Sequence, residues 1–142
     1  MGYLEKLSAE KSRKILISGA SGLVGSELAS FLESRGHVVY RLVRRSPEND
    51  FEIQWDPMEQ KLSTERLDGF HGVVNLSGEN VASGLWTASK KKKIVDSRVR
   101  STRLLCEKIS CLQGKPQVLI NASAIGYYGD NDDEWRDEES PK

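Results

Sequence analysis

Gly19-Ala20-Ser21-Gly22-Leu23-Val24-Gly25 has the composition and spacing of a cradle for a diphosphate. It follows the apolar run Ile15-Leu16-Ile17 and opens a helical pattern. Strand, glycine turn and helix in that order meet the needs of a dinucleotide pyrophosphate. The first glycine permits the tight turn, and the second lets backbone N–H groups approach the phosphates. The third lets the helix pack closely on the strand. The helix N-terminus adds unpaired donors and roughly half a positive charge. Gly19, Ser21, Gly22, Leu23, Val24 and Gly25 are the candidate phosphate-side contacts.

The end of the second strand decides which dinucleotide fits. A carboxylate there, roughly 20 residues past the glycines, hydrogen-bonds the ribose 2′-OH of NAD. This chain instead reads Arg41-Leu42-Val43-Arg44-Arg45-Ser46, and the first acid after it is Glu48. Guanidinium groups match a 2′-phosphate in charge and in fork geometry. The pattern therefore favours NADP over NAD. Arg44 and Arg45 can also be read as exposed loop arginines. Alternation lets only one of them point into the site, and Arg44 is preferred.

Other chemistry is thinly represented. Cys106 and Cys111 lie five apart in a helical stretch, on different parts of its surface, so two reduced thiols are expected rather than a disulfide. His37 and His71 have no His or Cys partner at ligand spacing, so no metal site is expected.

The elements that must position these residues follow from periodicity. Residues 14–18 read as a first strand. Residues 22–35 read as a helix with Val24, Leu28, Phe31 and Leu32 on one face, ended by Gly36. Residues 37–43 and 51–55 read as the second and third strands, 62–67 as at most a short helix, and 72–76 as the fourth strand. A loop over 77–86 leads to a long helix over 87–112, with Thr87 as N-cap. Its expected buried face is Ile94, Val95, Val99, Thr102, Leu105, Cys106, Ile109 and Leu112. Gly114 and Pro116 stop it, and 117–121 is the fifth strand. Such alternation predicts a doubly wound parallel α/β sheet of the Rossmann kind, in strand order 3-2-1-4-5. The ligand crevice then lies at the carboxyl ends of strands 1 and 4, where the order reverses.

The chain has 142 residues, 37% apolar and 30% charged, enough for one domain with a real core. Residues 1–12 are polar and read as a flexible extension before a dinucleotide-binding domain over 13–142. A net charge of zero gives no argument for nucleic acid or an anionic membrane as partner. No apolar stretch approaches the roughly 20 residues of a membrane span, and the first residues lack the apolar core of a signal peptide. A cytoplasmic location is the expectation. The lysine run 90–93 reads as a solvated face, or as a contact to an anion.

Three further segments accompany the glycine turn: Val74-Asn75-Leu76-Ser77-Gly78-Glu79-Asn80, Asp96-Ser97-Arg98-Val99-Arg100-Ser101-Thr102, and Asn121-Ala122-Ser123-Ala124-Ile125-Gly126-Tyr127-Tyr128-Gly129. Together they resemble the nucleoside-diphosphate-sugar epimerase family of the extended short-chain dehydrogenase/reductases, over nearly the whole chain. The resemblance implies that Leu76, Ser77 and Gly78 line the cofactor after the fourth strand. It implies an acid near the adenine at the end of the third strand, a role for Asp56 unless that residue only shapes the turn before Pro57. Arg98 stands where many members carry an asparagine. A charge on a buried face wants a partner, which a cofactor phosphate or a carboxylate such as Glu79 would supply.

Catalysis in this superfamily uses a Ser or Thr after the fifth strand, then a Tyr with a Lys four residues on. Ser123 is the hydroxyl in that neighbourhood, although aligning Tyr128-Gly129 with the family's Tyr-Gly puts Ala124 at the serine position. Tyr127 and Tyr128 have no Lys four residues on, and read as rings beside the nicotinamide pocket. Relatives continue for roughly as many residues again, and that part would hold the Tyr/Lys pair and a small substrate domain. The resemblance thus implies the NADP-binding half of an enzyme working by hydride transfer on a nucleotide-sugar or related small molecule. The other reading is a non-catalytic dinucleotide sensor or interaction module. An exposed sheet edge after the fifth strand would invite a homodimer. On the enzyme reading, the isolated chain binds nucleotide weakly and turns nothing over. Steady-state oxidation of NADPH by the chain alone would contradict it.

Overall fold

The computed structural model describes residues 11–123 together with 135, 137, 139 and 140. Tyr127, Tyr128, Ala124 and most of the expected N-terminal extension lie outside the described residues. The elements run β1 (Lys14–Ser18), α1 (Leu23–Ser34), β2 (Val38–Val43), β3 (Glu52–Asp56), β4 (Lys61–Leu62), β5 (Gly72–Asn75), α2 (Ala88–Ser110) and β6 (Val118–Asn121). They build one sheet in the order β4-β3-β2-β1-β5-β6. All neighbours are parallel except β3 and β4. The expected order 3-2-1-4-5 is therefore present, with β5 and β6 as the expected fourth and fifth strands. One antiparallel strand is added at the β3 edge.

That added strand corrects the helical expectation for 62–67. Asp56 Oδ1 accepts from the N–H groups of Met58 and Glu59 at 2.9 and 3.1 Å, and Gln60 takes a positive φ of 54°. The chain turns back, and Leu62 pairs opposite Trp55. Both side chains are buried in one apolar cluster. Burial of Leu62 against Trp55 outweighs the weak local helical tendency.

The sheet carries an apolar core on each face. Leu16, Leu42, Ile53, Trp55, Phe70 and Val73 meet Leu104, Leu105 and Leu112 on the α2 side. Ile17, Val39 and Val74 meet Ala29 on the α1 side, with Leu28 and Leu32 packed around them.

The expected faces hold in part: Leu28 and Leu32 of α1 pack on the core, as do Leu105, Ile109 and Leu112 on the α2 side, while other members of each face turn outward. In α1 the buried residues are Gly25 and Ala29, while Val24 is 66% exposed and Phe31 54%. In α2 they are Ser101, Leu104 and Leu105, while Val95 is 57% exposed, Val99 47%, and Cys106 is exposed. The physical reason is closeness. Small residues let a helix backbone approach the sheet, and their larger apolar neighbours flank the contact. Ser97 and Ser101 donate to the carbonyls of Ile94 and Arg98 at 2.9 and 3.1 Å. Those hydroxyls are satisfied inside the helix and are tolerated where apolarity was expected.

The helix ends match their chemistry. Thr87 caps α2 by accepting from the Lys90 N–H. Gly36, at φ +80°, closes α1 with bonds from Gly36 N to Glu33 O and from His37 N to Leu32 O. Leu104→Ala should cost about 2–5 kcal/mol in denaturant unfolding. Val99→Ala should stay within about 0.5 kcal/mol. Equal costs would place the contact face where the apolar pattern had it.

Candidate functional site

The strand order reverses between β1 and β5, and the loops leaving these two strands form the site. Gly19 has φ +72°, a conformation that glycine adopts freely. A Cβ there would lie 2.8 Å from the carbonyl carbon and oxygen of Leu76. The two loops thus touch backbone to backbone. At Gly25 a Cβ would lie 2.2 Å from Gly19 O, so the first turn of α1 rests directly on the loop. Gly22 is the N-cap, donates its N–H to Gly19 O at 3.0 Å, and offers no capping side chain. The N–H groups of Leu23, Val24 and Gly25 have no acceptor within the helix. Ser21 and Leu23 beside them are exposed. The first turn of α1 thus presents backbone donors that the helix itself does not use.

Beneath the loops runs a polar network, buried at Ser18 and Asn75 and reaching the surface at Asn121, that the sequence reading did not pick out. Asn75 Oδ1 accepts from the Ser18 hydroxyl at 2.5 Å and from Ser77 N–H at 3.4 Å. Asn75 Nδ2 donates to Asn121 Oδ1 at 2.6 Å and to Thr102 Oγ1 at 3.2 Å. Thr102 also donates to Asn121 at 2.9 Å, and Ala122 N–H to Asn75 O at 2.9 Å. Three strand ends and α2 are thereby tied together, two residues short of Ser123. Ser123 itself is exposed just past β6. The available signal was an asparagine ending each of two apolar runs, Gly72–Asn75 and Val118–Asn121.

The loop after β5 is pinned from below. Arg98 Nη1 donates to Glu79 O at 3.3 Å and to Ile94 O at 3.2 Å. Its guanidinium lies so close to Gly78 that a Cβ there would be 3.0 Å from Cζ. Arg98 has therefore met the backbone of this loop, while the Glu79 carboxylate has gone to Lys90 at 2.7 Å. Lys90 holds the Glu79 carboxyl below the usual carboxylate range, with Lys93 and Arg44 adding smaller pulls. Of the lysine run, Lys90 serves this loop, and Lys92 pairs with Asp96 at 2.5 Å.

At the other side of the crevice the three arginines have separated. Arg41 pairs with Glu33 at 2.6 Å, and Arg45 with Glu52 at 2.7 Å. Arg44 is exposed and makes no hydrogen bond or ion pair among the described residues. It lines a cavity of about 500 Å³ with Pro47, Gln54, Trp55, Asp56 and Arg66. Asp56 shapes the turn described above and also faces this cavity. Among the described residues no group of His, Cys, Asp and Glu could hold a metal ion, and no helix is long and apolar enough to cross a membrane.

Residues 15–142 match the model of the NAD dependent epimerase/dehydratase family. The chain belongs to that family. It is 39% identical over 132 residues to an epimerase family protein of Mycobacterium leprae, covering 92% of this chain and 42% of that one. Among solved structures, the human epimerase family protein SDR39U1 (isoform 2) with NADPH superposes with a TM-score of 0.77 at 27% identity, covering 90% of this chain and 42% of the other. The nucleoside-diphosphate sugar epimerase of Corynebacterium glutamicum gives 0.72 at 33% identity, covering 92% and 27%. The chain thus spans about 42% of the length of the curated relative.

Gly25→Ala should force the glycine loop to move, lowering the melting temperature by several degrees and removing stabilisation by added dinucleotide. Gly22→Ala, whose Cβ would lie 3.3 Å from Gly19 O, should do markedly less. Thermal melts with and without nucleotide compare the two.

Proposed function

We propose that this chain is the NADP-binding half of an epimerase-like oxidoreductase. The observation that carries the reading is the pairing of an uncapped glycine cradle with one guanidinium, Arg44, that forms no ion pair or hydrogen bond among the described residues. The residues present fit such a group. Side chains are missing where a diphosphate would approach Gly19, Gly22 and Gly25, and a positive fork stands at the end of β2 where a 2′-phosphate would lie. Leu23, Val24 and Gly25 offer N–H donors to the phosphates. Leu76, Ser77 and Gly78 offer a small-residue wall for the ribose and nicotinamide side. NADPH in the human relative supports the choice of cofactor.

When bound, the nicotinamide would supply hydride transfer, and this chain would supply binding and orientation. Asn75 and Asn121 hold the strand ends fixed so that the loops above them keep one spacing. Arg98 holds Gly78 at its place in the wall. Ser123 would offer its hydroxyl to a substrate oxygen near the reacting carbon. A nucleotide sugar or a related small molecule is the proposed substrate class, in keeping with the name of the Corynebacterium relative. A Tyr/Lys pair for proton transfer would belong to the remainder of the length seen in the relatives.

Fluorescence titration with NADPH and NADH tests the cofactor assignment. Arg44→Ala removes a charge-assisted contact of about 1.5–3 kcal/mol, so NADPH affinity should fall about ten- to hundredfold. NADH affinity should change less than about twofold. Equal losses for both would remove the 2′-phosphate from Arg44.

A further inference from the structure

Arg45 stands beside Arg44 in sequence but has a different occupation. Its Nη1 and Nη2 donate to Glu52 Oε2 and Oε1 at 2.8 and 2.7 Å, a bidentate pair, and Nη1 also donates to Ser46 O at 2.9 Å. Glu48 adds an ion pair at 3.2 Å. Glu52 is a buried residue, and its Oε2 also accepts the Glu48 N–H at 2.7 Å. Both ends of this pair thus make a further contact inside the same short connection. Fork-to-fork geometry fixes orientation as well as distance.

The pair acts across an unusually short connection. β2 ends at Val43 and β3 begins at Glu52, so residues 44–51 make the whole parallel crossover. Parallel crossovers usually need about a dozen residues or more and a helix. Here the connection is braced by side chains. Arg45 ties its start to Glu52 at its end. Arg66 donates to Asp50 O at 2.5 Å and to Glu52 O at 3.0 Å. Phe51 packs edge-on against Tyr40 of β2 with ring centroids 5.4 Å apart. Arg44 therefore sits between the last residue of a strand and a residue clamped by two hydrogen bonds. Its backbone is held on both sides, while its side chain is left free.

The geometry points to the Arg45–Glu52 pair as a positioning device for cofactor choice. It holds the backbone of Arg44 so that the Arg44 guanidinium faces the 2′-phosphate, and it keeps Arg45 out of that contact. The inference rests on the NADP reading above and goes beyond it by assigning discrimination to two residues that do not touch the cofactor. A charge-assisted fork contact depends on orientation as well as distance, so a shifted guanidinium loses affinity for a phosphate. Loss of the pair should accordingly act on NADPH and spare NADH, which has only a neutral hydroxyl at that position.

The experiment uses the full chain in four forms: unaltered, Arg45→Ala, Glu52→Gln, and the swapped pair Arg45→Glu with Glu52→Arg. Dissociation constants for NADPH and NADH come from nicotinamide fluorescence, and melting temperatures are recorded beside them. Arg45→Ala and Glu52→Gln should each weaken NADPH about tenfold and NADH less than twofold, and the swap should recover most of the NADPH loss. If Arg45 were itself the phosphate ligand, Glu52→Gln would leave NADPH affinity intact or raise it, and the swap would fail. Equal weakening of both cofactors would make the pair merely structural. Either pattern overturns the inference while leaving NADP binding in place. Absence of NADPH binding by the unaltered chain would instead overturn the cofactor reading, and this inference with it. Should Arg45→Ala not fold, Glu52→Gln and the swap decide alone.

Discussion

Gly19 and Leu76 meet backbone to backbone, and the rest of the site is arranged around that approach. A methyl group at residue 19 would overlap the Leu76 carbonyl, and one at residue 25 would overlap the Gly19 carbonyl. Three layers, the β5 loop, the β1 loop and the first turn of α1, are thus stacked with no side chain between them. Such contact is possible only if the strand ends below do not drift. Asn75 supplies that constraint by spending every hydrogen-bonding position of its amide on neighbouring elements. At the buried Ser18 and Asn75 a shift would leave a polar group unpaired, which resists drift of the β1 and β5 ends.

Charge is distributed with the same economy. The formal net charge is zero, yet Lys90, Lys93 and Arg44 all bear on the Glu79 carboxyl in the loop after β5. Glu79 is drawn to Lys90 and Glu52 to Arg45. Both carboxyls lie below their ordinary range, chiefly through those hydrogen bonds. The acids of this region are thereby occupied with structural work, and the Arg44 guanidinium forms no ion pair among the described residues.

Much of the fold was legible because its signals are local. The apolar run 14–18, the glycine turn, Gly36 after α1 and Thr87 before α2 each act within a few residues, and each stands where expected. The helix faces were legible only in part: Leu28, Leu32, Leu105, Ile109 and Leu112 pack inward as expected, and Val24, Phe31, Val95 and Val99 do not. Hydropathy ranks Val above Ser, but the closest contacts go to Gly25, Ala29 and Ser101, whose value lies in their size. The β4 strand was missed because Leu62 is placed by Trp55 across a turn and not by its own neighbours in sequence. At the site, glycines and arginines announced themselves by type. Asn75, Asn121 and Glu52 did not, since their roles arise from partners 46 and 7 residues away.

The eight-residue excursion between β2 and β3 adds an evolutionary corollary. It carries Arg44 and Arg45 on the rim, where their side chains contribute nothing to either apolar cluster. Selection could therefore exchange Arg44 alone, and with it one charge at the rim, while the Arg45–Glu52 pair and the Phe51–Tyr40 contact go on holding the crossover to the sheet.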